Sequence, residues 1–87
     1  MEYEIVECDN GFPNFVLGRM SDGRPFYFCA QHGWWKLLVG QPNEPLDAAK
    51  SGQVVLSKEE GGAGGWNTHE ILTWTKAALK EYEQKEQ

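Results

Sequence analysis

With 87 residues the chain has room for one small domain spanning 1–87, which excludes a two-domain enzyme carrying its own cofactor fold. Thirteen acids against eight bases leave a net charge of −5, the wrong sign for phosphate recognition, so nucleic acid is disfavoured as a partner. No run approaches the roughly 20 apolar residues of a membrane span, and the acidic start MEYEIVECDN lacks the basic and apolar regions of a signal peptide, so no membrane contact and a cytoplasmic location are expected.

Tyr3 to Cys8 reads as a first strand, with Tyr3 and Ile5 on one face and Glu4, Val6 and Cys8 on the other. Asp9-Asn10-Gly11-Phe12-Pro13 supplies an Asn-Gly turn and a proline stop before a second strand from Asn14 to Met20. Ser21-Asp22-Gly23 turns the chain into Pro25 to Ala30, whose aromatic density suits a pleated surface. Gln31-His32-Gly33 is the next tight turn, and Trp34 to Val39 a further strand, completing an antiparallel meander.

The prolines between Gly40 and Pro45 forbid regular structure, and Pro45 to Lys50 suits one or two helical turns with proline near the first position. Gln53 to Ser57 reads as a last, edge strand. Lys58-Glu59-Glu60 leads into Gly61-Gly62-Ala63-Gly64-Gly65, expected as a flexible hinge. Asn67 stands three residues before Glu70, the capping-box spacing that satisfies free N–H groups at a helix start. Ile71, Trp74, Thr75, Ala78 and Tyr82 then recur at helical spacing, with Leu72 and Leu79 widening the stripe, and predict a helix over 68–84. The expected fold class is α+β: a sheet of four to five antiparallel strands with one C-terminal helix packed on a face. Eleven aromatic residues, four of them tryptophan, point to an aromatic core.

No constellation marks an enzyme. Cys8, Cys29, His32 and His69 add up to a zinc set in number, yet Cys8 and His69 stand far from any partner, so no metal is expected. Cys29 and His32 could pair as nucleophile and base, but nothing marks the orienting group and oxyanion donors that such chemistry needs. The glycines before the helix lack the lysine ending of a phosphate loop, and no cofactor is expected. Two cysteines are too few for a disulfide framework and read as half-buried strand thiols.

Trp34-Trp35 is the informative pair. Neighbours on a strand point to opposite faces, so if Trp35 packs inward with Leu37 and Val39, Trp34 lies outside, near Tyr27. The alternative has the helix on one sheet face and residues 40–56 on the other, burying both. The expected function is non-catalytic binding of a protein partner through Tyr27, His32, Trp34, Glu59 and Glu60. One version is an inhibitor, of the sort phages and mobile elements carry, that covers a host or defence protein, with its acids over a basic nucleic-acid site. Homodimerisation through the same surface or the Val54–Leu56 edge is a rival use. A nucleic-acid or small-ligand domain using the aromatic sheet face is the alternative.

Overall fold

A computed structural model of the chain describes residues 2–11 and 14–86; Phe12 and Pro13, expected in the first turn, lie outside the described residues. Five strands run in sequence order across one antiparallel sheet: β1 (Tyr3–Asp9), β2 (Asn14–Met20), β3 (Pro25–Gln31), β4 (Trp34–Val39) and β5 (Gln53–Glu59). A 3₁₀ segment, Leu46–Ser51, precedes β5, and helix α1 (Thr68–Glu86) closes the chain. This is the expected α+β meander with one C-terminal helix.

Local chemistry explains each junction. His32 and Gly33 both have positive φ, 53° and 77°, the twist that a two-residue hairpin loop needs to match its flanking strands. Asn67 and Glu70 form the reciprocal cap: the Glu70 amide donates to Asn67 Oδ1 at 2.8 Å, and the Asn67 amide donates to Glu70 Oε1 at 3.0 Å. Proline then stands directly before the 3₁₀ segment, as Pro45.

The register sorts the strands into two faces. On one lie Phe26 opposite Val39, then Val16, Phe28, Leu37 and Leu56 in a single cross-strand row, then Asn14, Ala30 and Trp35. Helix α1 covers this face with Ile71, Thr75, Ala78 and Leu79, all buried, while Trp74, Leu72 and Tyr82 pack partly against the same core. Leu79 is thus central to the stripe it was expected only to widen. Trp66 stacks on Trp74 (5.1 Å, 8°) and on Phe28 (6.3 Å, 12°), so parallel rings join helix to sheet. On the same face Gly18 leaves room for the Phe26 ring and for strand β1: a Cβ there would stand 2.7 Å from the ring and would collide with the Glu4 carbonyl oxygen.

Simple alternation fails in β1. The register slips between Ile5 and Glu7, so Ile5 opposes Gly18, Cys8 opposes Val16, and Val6 is the extra residue of a bulge. Cys8 therefore shares the helix-covered face with Tyr3 and Ile5 instead of standing opposite them, and it packs against the core. A second slip between Leu37 and Leu38 makes Val55 the extra residue in β5.

The contact that locks the helix start is polar. Asn14, fully buried, donates from Nδ2 to the Trp66 carbonyl and accepts at Oδ1 from the Trp66 amide, both at 3.1 Å. One side chain thus satisfies both backbone groups of the residue whose ring is stacked into the core. Asn14→Ala leaves those two groups unpaired in a dry site and is expected to cost about 2–4 kcal/mol, read as a lowered urea midpoint; an unchanged midpoint would contradict the role assigned here.

Candidate functional site

The second sheet face is covered over half its extent. The segment between β4 and β5 folds back over β2, β3 and β4, where Ala49 of the segment and Leu17 and Leu38 of the sheet are all buried. Backbone hydrogen bonds from Gly40 to the Pro25 carbonyl and from Asn43 to the Gly23 carbonyl hold it, and the Arg19 guanidinium donates to the carbonyls of Gly23 and Glu44. Beyond this cover lie two cross-strand rows: Phe15, Cys29, Lys36 and Ser57, of which Cys29 is buried, Phe15 is half-buried under the Lys50 ammonium (5.8 Å) and Lys36 and Ser57 are exposed, and then Gln31, Trp34 and Glu59, all exposed.

Trp35 packs inward, 4% exposed, and Trp34 stands outside at 52%. Its ring borders a cleft of about 290 Å³ that is also lined by Cys29, Gln31, His32, Lys36 and Ser57. The hairpin carrying it is fastened from behind. Gly33 donates to the Ala63 carbonyl at 3.0 Å, and its own carbonyl accepts from the Glu60 amide at 2.8 Å. The 61–65 segment, expected as a hinge, folds into turns against this hairpin with Ala63 and Gly64 buried. Gly64, at φ +99°, approaches so closely that a Cβ would stand 2.9 Å from the Gln31 Cα.

Of the five candidate binding residues, His32 and Trp34 line this cleft together. Tyr27 does not join them. It opposes Leu38, whereas Trp34 opposes Gln31 four positions further along β3, so Tyr27 is half-buried against the Phe15 ring (5.8 Å) at the border of the covered half. Glu59 is the β5 neighbour of Trp34. Both Glu59 and Glu60 line a separate cleft of about 230 Å³ between β5 and α1, with Trp35, Lys58, Trp74 and Glu81. Reading the sequence residue by residue missed Lys36 and Ser57. Period-two alternation from Trp34 would have found Lys36; Ser57 needed the register of β5.

Cys29 sits on this open face and Cys8 on the helix-covered one, so the sheet itself separates the two thiols and the four-residue zinc set does not assemble. Among the described residues no cluster of three or more metal-ligating side chains is present. Burial raises the Cys8 thiol, with Asp9 adding to it. Burial, together with the hydrogen bond to the Cys29 sulfur, pushes the Tyr27 hydroxyl up to about 12. Cys29 and His32, weighed above as nucleophile and base, line the same cleft, and no hydrogen bond joins them.

No family model, curated protein or solved structure matches the chain. No helix among the described residues is long and apolar enough to cross a membrane.

The Tyr27 shift makes a checkable statement about alkaline pH. An unfolded tyrosine ionises near 10, so between about 10 and 12 the unfolded chain has lost a proton that the folded one retains, and stability falls as pH rises through that window. Tyrosinate absorbance should show a late-titrating component that is lost in Tyr27→Phe. A folded-state titration curve whose alkaline end is unchanged by that substitution would contradict the burial.

Proposed function

We propose that the protein is a non-catalytic binding module that docks a protein partner through the uncovered half-face centred on Trp34. The observation that carries this reading is the Trp34 ring, half exposed beside a cleft on a strand paired on both sides. A tryptophan buries about 150–250 Å² when fully covered, so leaving half of it in water forgoes roughly 2–3 kcal/mol of burial. A partner that covers the ring recovers that energy, and aromatic anchors of this kind dominate interface energetics. The tight, doubly fastened hairpin leaves little backbone freedom to lose on binding, which lowers the cost of association.

An inhibitor that works by covering a partner's surface needs nothing beyond such a face. Self-association is the second reading, supported by Val54, 49% exposed on edge strand β5, where unpaired backbone groups can accept another strand. Small-ligand binding is less well supported, because about 290 Å³ in an open cleft lies at the lower limit of the pockets that enclose drug-sized molecules.

Affinity capture from lysate with the wild type beside Trp34→Ala tests the proposal. A protein retained in stoichiometric amount by the wild type and lost from the variant is the expected result. Melting temperatures should agree within about 2 °C, since the substitution removes no core contact. Equal retention by both baits would contradict the site. Retention of nothing, together with a concentration-dependent dimer in sedimentation, would transfer the surface to self-association.

A further inference from the structure

The cleft beside Trp34 has a charge signature opposite to that of the whole chain. Its lining includes the Lys36 ammonium, the His32 imidazole, the Ser57 hydroxyl and the Gln31 amide, and it contains no carboxylate, on a protein with five more acids than bases. Lys36 is exposed and meets no carboxylate among the described residues. Glu59, opposite Trp34 and diagonal to Lys36 on the same face at roughly 7–8 Å, is the nearest acid in register, and it lines the other cleft and not this one. Asp9, Glu7 and Glu4 rim the same face on β1, three strand spacings or roughly 14 Å away, beyond the distance over which physiological salt lets exposed charges act.

From this juxtaposition we infer that the cleft takes a glutamate or aspartate side chain of the protein partner, its carboxylate on Lys36 and its apolar neighbour on the Trp34 ring. The inference rests on the reading of this half-face as a docking surface and names the chemistry of what docks there. One ammonium in a cleft of about 290 Å³ suits a single carboxylate on a short stem. A nucleic-acid strand would bring a row of phosphates against a net charge of −5, and its affinity depends on several cations neutralising several phosphates. Ser57 and Gln31, one on each flanking strand, add neutral donors on either side of Lys36, and hydrogen bonds to an ionised acceptor are the stronger kind.

The test uses the ¹⁵N-labelled 87-residue chain titrated with three probes: an acetylated, amidated decapeptide alternating glutamate and leucine, its lysine–leucine counterpart, and a short oligothymidylate. The acidic peptide is expected to shift the amides of Cys29, Gln31, Lys36 and Ser57 and to perturb the Trp34 indole. Lys36→Glu should weaken it about two- to fivefold, within the range for one partly exposed ion pair, while Lys36→Arg retains it. Stronger binding of the basic peptide, no shift with the acidic one, or full affinity in Lys36→Glu would overturn the inference. If a captured protein depends on Trp34 but is indifferent to Lys36→Glu, the carboxylate assignment fails and the docking surface stands. Shifts of these amides by oligothymidylate alone would remove both.

Discussion

A five-stranded sheet has two faces, and among the described residues one long helix is present to cover them. The 19-residue α1 takes one face with an aromatic and aliphatic core, and the short segment before β5 covers only the half of the other that contains Leu17 and Leu38. Unequal coverage is the constraint from which the site follows. Beyond that cover Gln31, Trp34, Lys36, Ser57 and Glu59 meet solvent, while Cys29 is buried between them and the half-buried Phe15, whose ring lies under the Lys50 ammonium.

The covered face holds the open one in place. Asn14 anchors both backbone groups of Trp66, and the chain just before Trp66 supplies Ala63 and Gly64 to the back of the His32–Gly33 turn. Helix start and hairpin turn are therefore one packed unit. The exposed tryptophan rides on a strand whose turn is bonded to the linker that places the helix. Preorganisation of this sort spares a binding surface the entropy of ordering itself.

Much of this architecture is legible in the sequence because its signals are local. Period-two alternation marks β2 to β4, the Asn67–Glu70 spacing marks the helix start, and alternation alone puts Trp34 and Trp35 on opposite faces. The features that escape are set by pairing between distant residues. Nothing in the sequence around Val6 announces a bulge, yet that single extra residue moves Cys8 from one face to the other. Asn14 reads as an ordinary strand opening until Trp66, 52 positions away, arrives to be capped. Tyr27 and Trp34 share a face, but only the register shows that Tyr27 belongs to the covered half and Trp34 to the open one. Lys36 and Ser57 become neighbours only when β4 pairs with β5.

The central claim is that the half-face around Trp34 is bare in the isolated protein. Paramagnetic relaxation of side-chain protons by a neutral, inert gadolinium chelate measures this directly. The account predicts strong broadening of the Trp34 indole N–H, with the Trp35 and Trp66 indoles protected. A Trp34 indole as protected as Trp66 in dilute protein would show that the face is already covered and would contradict the account.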